Sequence, residues 1–203
     1  DRIKLIEEYG ADSVRVGLML SSAAGNDLLF DESLCQQGKN FTNKIWNALR
    51  LVNGWEIDEE KPQPIVNKLG IDWYNNKFNN SLELINKNFE NYRISDVLMS
   101  SYRLVWDDFC SWLLEILKPD FGEKIDKKSR TELISLFEKN LKILHPFMPF
   151  LSEEIYHNLP DINNSTPLTI SNWPEIEDYN LKSVNEFETT KEIISQIRNY
   201  RKE

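Results

Sequence analysis

From Leu34 to Val52 the apolar positions recur at steps of three and four: Leu34, Gly38, Phe41, Ile45, Ala48 with Leu49, then Val52. That spacing keeps one face of an α-helix apolar, since each residue advances ~100° around the axis. The same rhythm predicts a helix from about Asp72, with Tyr74, Phe78, Leu82, Ile85 and Phe89 inward. It predicts another capped by Ser95, with Leu98, Tyr102, Val105, Phe109, Leu113 and Ile116 inward, and one from about Ser129 through Leu133, Leu136, Phe137, Leu141 and Leu144. Shorter helices are expected over Leu5 to Tyr9, over residues 11 to 22, and in LSEEIYHNL with Ser152 in its first turn. A final helix follows a Ser183–Glu186 capping box and is expected to bury Phe187, Ile194 and Ile197.

The breaks between these segments have chemical causes. Gly10 can close the first short helix, AAGNDLLFD reads as a loop, and the Asp31 carboxylate can accept a backbone N–H at the start of the long helix. Asn53-Gly54 ends that helix, and an acidic loop with Pro62 and Pro64 follows. Lys118-Pro119 stops the Ser95 helix, because proline disfavours helix at the residue before it. HPFMPF interrupts at Pro146 and Pro149, and residues 160 to 182 read as an irregular connection anchored at Trp173. Long amphipathic helices joined by loops make this an all-α chain, a helical bundle.

Composition agrees and narrows the function classes. Hydrophobic residues are 40% and aromatics 11% of 203 residues, enough for a sizeable core, while 7 Gly and 8 Pro leave little turn chemistry for a many-stranded sheet. The chain opens on Asp1 rather than methionine, as an excerpt of a longer protein would. Cys35 and Cys110 have no CxxC neighbour, which points away from a disulfide framework or a zinc site. No apolar run approaches the ~18 residues of a membrane span, and DRIKLIEEYG is too charged for a signal peptide. A net charge of -9 argues against blanket coating of nucleic acid. A local basic site survives that argument, since salt screens exposed charges beyond ~8–10 Å.

Catalytic signatures are absent: no GxGxxG, P-loop or GxSxG occurs. Glu154-x-x-His157 has the spacing of half a di-iron site, but His145 has Lys142 three residues before it and cannot supply the other half. His145 reads as a helix-end hydrogen-bonding residue. Glu153-Glu154 reads as a pair of acids near a helix N-terminus, and Trp73, Trp106 and Trp112 as core packing.

The polar side of the 34–52 helix stands apart. Lys39, Asn43, Asn47 and Arg50 lie opposite the apolar face; Asn40, Lys44 and Leu51 form one flank, and Trp46 lies on the other. No acid occurs between Glu32 and Glu56, whereas surface helices usually alternate Glu with Lys. Lysine and arginine suit phosphates, and asparagine offers both donor and acceptor to an unpaired base. On residue types alone an RNA site and a plain solvated face both remain open, the latter as part of a protein-interaction scaffold.

Resemblance separates them. NFTNKIWNALRLV, EYGADSVRVGLMLSSAAGNDLLFDE, NYRISDVLMSSYRLVWDDFCSWLLEILKP, LKILHPFMPFLSEEIYHNLP and the terminal IRNYRKE, in this order, resemble the anticodon-binding helical domain of class I aminoacyl-tRNA synthetases, the valyl branch above the isoleucyl and leucyl ones. The resemblance implies a junction segment over 1–30, a helical bundle over 31–160, and an irregular connection with a C-terminal helix over 161–203. It implies a cytoplasmic, monomeric, membrane-free protein whose partner is the anticodon stem-loop of a valine tRNA, with adenine and cytosine as middle and third anticodon bases. ATP-dependent ligation belongs to the parent enzyme. Its HIGH and KMSKS motifs are missing here, so this chain is expected to be non-catalytic and to carry no cofactor or metal. The implied tRNA contacts are Lys39, Asn40, Asn43, Lys44, Asn47 and Arg50, with Leu51 as an apolar one. Leu51 stands where relatives carry a stacking phenylalanine, and Ser33 where some carry an arginine.

Overall fold

The computed structural model describes residues 2–21, 31–160 and 166–201. The AAGNDLLFD loop therefore lies almost wholly outside the described residues. Helices α1 (Arg2–Tyr9) and α2 (Ala11–Ser21) lead to α3 (Ser33–Asn53). Then come β1 (Ile57–Asp58), α4 (Ile65–Glu90), and α5 (Ile94–Arg103), which runs through a π-helical segment (Leu104–Leu113) into α6 (Leu114–Leu117). The chain continues with β2 (Ile125–Asp126), α7 (Lys127–Leu144), α8 (Pro149–Asn158), a 3₁₀ turn (Leu168–Ile170) and α9 (Leu181–Tyr200). The two short strands pair in parallel, Ile57 opposite Ile125 and Asp58 opposite Asp126, and so tie the exit of α3 to the entrance of α7.

The core is the shared interior of α3, α4, the π segment and α7. Phe41, Val52, Tyr74, Phe78, Leu82, Val105, Phe109, Leu113, Phe137 and Leu141 are all fully buried there. One polar pair crosses this interior: the Tyr74 hydroxyl donates to Asn140 Oδ1 at 2.8 Å. α2 lies along α3 at very short range. A Cβ on Gly38 would sit 2.5 Å from the Ser13 carbonyl oxygen, and one on Gly17 would sit 2.8 Å from the Cys35 nitrogen. Only glycine permits backbones this close. α2 also reaches α8, where Asp12 accepts from the Leu151 backbone N–H at 2.6 Å and Arg15 donates to the Phe147 and Pro146 carbonyls.

α9 docks differently, through charge. Lys191 bonds Asp108 at 2.5 Å and Glu188 at 3.1 Å, and Lys77 of α4 closes the ring at 3.1 Å from Glu188 and 3.8 Å from Asp108. The Lys191 ammonium lies 5.2 Å from the Trp73 ring centre and 5.6 Å from that of Trp112, and Arg198 lies 5.2 Å from Trp112. Phe187 stacks on Trp73 at 4.1 Å.

Several expectations are corrected. α4 starts at Ile65, seven residues ahead of Asp72, because Ile65, Val66 and Leu69 face outward and disguise the helix. Asp31 does accept the Ser33 N–H at 2.9 Å, but Glu32 occupies the boundary position of α3. Ser95 is not the cap residue of α5: the helix begins at Ile94 with Arg93 at the boundary, and the Ser95 hydroxyl donates to the Met19 carbonyl of α2. The Ser183–Glu186 box does not form, since Asn180 accepts from the Lys182 and Ser183 N–H groups and α9 begins at Leu181. Of the three residues expected inward, Phe187 and Ile194 are half-buried and Ile197 is exposed, while Val184 is the buried residue. α5 slips into π geometry at Leu104, which a 3.6-residue period does not register.

Candidate nucleic-acid interface

Three contacts hold α3 in place from behind its apolar face. The glycine-lined crossing fixes its N-terminal half. Buried Arg130 donates to the Val52 carbonyl at 2.5 Å, and Asn53 donates to the Asn158 carbonyl at 3.1 Å, fixing its C-terminal end. Its outward face is thereby held rigid, and the residues expected to contact RNA fall into three groups.

Asn43, Asn47 and Arg50 form the exposed ridge. None of the three makes a hydrogen bond or ion pair among the described residues. Lys39, on the side toward α1, is already engaged: its ammonium donates to the Glu8 carbonyl at 2.9 Å and lies 5.7 Å from the Tyr9 ring centre. Asn40, Lys44 and Leu51 line the other side, toward α5 and the π segment. Asn40 accepts from Gln36 at 3.0 Å, and Leu51 is half-buried against the core. The Lys44 ammonium lies 5.5 Å from the ring centre of Trp106. Burial pushes the Cys110 thiol up to about 12, against the opposing charge of Lys44 nearby, so this thiol stays protonated.

Trp106 was expected in the core, and the structure puts it at the rim. It is half-buried, stacked on Tyr102 with centroids 5.5 Å apart and planes 11° apart, and backed by Phe41. Sequence alone lacked the signal that α3 would lie alongside it.

The histidines are structural. His145 Nδ1 lies 2.8 Å from the Ser152 hydroxyl. His157 pairs with Glu153 at 3.0 Å, not with Glu154, whose carboxylate instead accepts from Asn158. Glu153 also accepts the backbone N–H groups of Leu168 and Thr169, at 2.8 and 3.2 Å. The expected pair of acids at a helix N-terminus is thus one acid that organises the following connection. The apolar side of α2 is covered, with Val14 buried and Leu18 and Leu20 half-buried, while Ile3 and Ile6 of α1 are exposed.

Comparison with known proteins gives a consistent picture. The family model described as the anticodon-binding domain of tRNA ligase matches residues 72–203, from within α4 to the end. Over the whole chain, a valine–tRNA ligase of Christiangramia forsetii is 50% identical, and one of Listeria innocua is 37% identical. A valine–tRNA ligase of Parabacteroides distasonis is 41% identical over 99% of the chain. The chain spans 23%, 24% and 23% of those three relatives in turn, about a quarter of each. In fold, it resembles a solved LeuRS–tRNA–LeuAMS ternary complex of Agrobacterium radiobacter K84. The TM-score is 0.59 at 17% identity, covering 91% of this chain and 21% of that one.

Proposed function

The chain belongs to the anticodon-binding domain family of tRNA ligases, and from that premise we propose that the outer face of α3 is its RNA surface, the anticodon-reading part of a valine–tRNA ligase. One observation carries this placement: a helix face held from behind presents Asn43, Asn47 and Arg50 without internal partners among the described residues, with no carboxylate along its length. The whole-chain identity of 37–50% to valine–tRNA ligases supports the choice of valine tRNA. Arg50 and Lys44 take phosphate or base-edge contacts, the asparagines take base edges, and Leu51 and Asn40 complete the flank. Lys39 contributes at the margin. Amino-acid activation with ATP is assigned to the remainder of such an enzyme, working as a cytoplasmic monomer. This chain needs neither cofactor nor metal for its part.

The test is binding of a valine-tRNA anticodon stem-loop to the chain and to the Lys44→Ala/Arg50→Ala double variant. The expected result is a loss on the order of 1–3 kcal/mol per base-edge contact, with binding that weakens steeply as salt rises. Equal affinity of the two proteins rejects the placement on α3.

A further inference from the structure

The polar ridge of α3 supplies charge and amide groups, with the exposed Trp46 on the flank away from Lys44, while single-stranded RNA is commonly held by stacking bases on aromatic side chains. On the Lys44 side the neighbouring wall supplies a ring held in a fixed plane. Trp106 projects from the first turn of the π segment, beside the flank that carries Lys44 and Leu51. Its indole is kept flat against Tyr102, and Tyr102 in turn lies 4.5 Å from the buried Phe41 ring. The backbone beneath it is also held: the Trp106 carbonyl accepts the Ser111 hydroxyl at 2.9 Å, five residues on, as π geometry allows. A half-buried ring with a fixed plane, at the edge of a basic helix face, is a preorganised platform. Its only charged cover among the described residues is the Lys44 ammonium, a mobile group on a flexible stem.

We propose that Trp106 is a base-stacking residue of this interface: an unpaired anticodon base takes the place of the Lys44 ammonium over the indole, and the ammonium moves to a backbone phosphate. The exchange replaces one weak, solvated cation–π contact with a stacked base and a charge-assisted phosphate contact. Lys44 thus shields the ring in the free protein and becomes a phosphate ligand in the complex. This rests on α3 being the RNA face.

The experiment compares the 203-residue chain with Trp106→Ala and Trp106→Phe, titrated with the valine anticodon stem-loop and with loops made abasic in turn at each anticodon position. Trp106→Ala is expected to weaken the intact loop about ten-fold and to leave one abasic loop unaffected, because the base that stacks is already gone. Trp106→Phe retains a ring, so it should keep the fold and most of the affinity. It should lose the share of the tryptophan-fluorescence quenching that Trp106 contributes in the unsubstituted chain, so that quenching falls measurably. Equal weakening of every loop by Trp106→Ala, or unchanged quenching in Trp106→Phe, overturns the proposal while leaving the α3 reading intact. If Lys44→Ala/Arg50→Ala binds as well as the parent, both fall together.

Discussion

Lys191 on α9 and Arg50 on α3 are both cations on amphipathic helices, yet the protein treats them in opposite ways. Lys191 is enclosed by two carboxylates and two tryptophan rings, its side chain only 12% exposed. Arg50 stands exposed with no acid on its own helix and no internal partner among the described residues. A cation already satisfied within the fold gains little from a phosphate, because it must first give up its own anions. A cation left open on a rigid helix loses only water. The contrast sorts the basic residues by their surroundings, which a count of charges cannot do. It also shows how a chain of net charge -9 can keep an open basic helix face.

The largest effect expected of this contrast is on stability. Lys191→Met takes from Asp108, which is itself almost fully buried, its nearer cation and leaves only Lys77 at 3.8 Å. Removing one member of a buried pair typically costs about 3–5 kcal/mol, and with Lys77 remaining the lower end of that range is expected. Denaturant unfolding should show that loss, with α9 detached, while affinity for the stem-loop of the still-folded protein is unchanged. A loss under ~1 kcal/mol would mean that α9 is held by Phe187 and Val184 rather than by the ion cluster.

Arg50→Ala should do the reverse. Unfolding free energy should stay within about 0.5 kcal/mol, as for surface sites without partners. Stem-loop affinity should fall by about 1–3 kcal/mol. Should stability fall by more than affinity, Arg50 has a structural partner and the contrast collapses.

Lys39 lies between these extremes. Its ammonium sits at the C-terminal end of α1 on the Glu8 carbonyl, a favourable place for a cation. Lys39→Ala should cost about 0.3–1 kcal/mol of stability and should reduce stem-loop affinity less than Arg50→Ala. If it weakens RNA binding as much as Arg50→Ala, the Glu8 contact is given up on binding and Lys39 belongs with the open group.

This intermediate case shows what the sequence could disclose. The wheel of residues 34–52 placed the buried side of α3 correctly from Phe41 to Val52, because amphipathic periodicity and burial share one cause. It also separated the residue types of the polar side. It had no means to show that Glu8 and Gln36 already occupy Lys39 and Asn40, since those contacts depend on where α1 ends and on side-chain direction. Trp106 was assigned to the core for a similar reason: a tryptophan at helical spacing looks the same whether at the rim or inside. The π segment was invisible because every position was phased at 3.6 residues. Asp108 is a buried acid whose partner lies 83 residues away, so pattern alone gave no hint that α9 would dock through it. The α4 start was missed because Ile65, Val66 and Leu69 are apolar yet exposed, at 73%, 55% and 58%.

The smallest effect sharpens the contrast through pH. In the cluster, burial pushes both carboxyls up; for Asp108 burial prevails, while at Glu188 the bonds from Lys191 and Lys77 outweigh it and hold the carboxyl below its ordinary value of 4.5. A carboxyl with a lowered folded-state pKa contributes stability that is fully present above its unfolded value and is lost as pH falls through the folded one. Asp108 has the opposite sign, so wild-type acid unfolding alone would mix the two. Comparing wild type with Glu188→Gln isolates Glu188 together with the upward push that its charge gives the Asp108 carboxyl, provided that Lys191 and Lys77 continue to hold Asp108. The difference in unfolding free energy should be about 0.5 kcal/mol at pH 7, as befits a partly exposed pair, and should shrink below about pH 4.5. The same titration on Arg50→Ala should give a constant difference, because Arg50 has no carboxylate to lose. A difference for Glu188→Gln that does not change with pH would mean that Lys191 and Lys77 are bound to Asp108 alone, and that the enclosure of Lys191 has one anion rather than two.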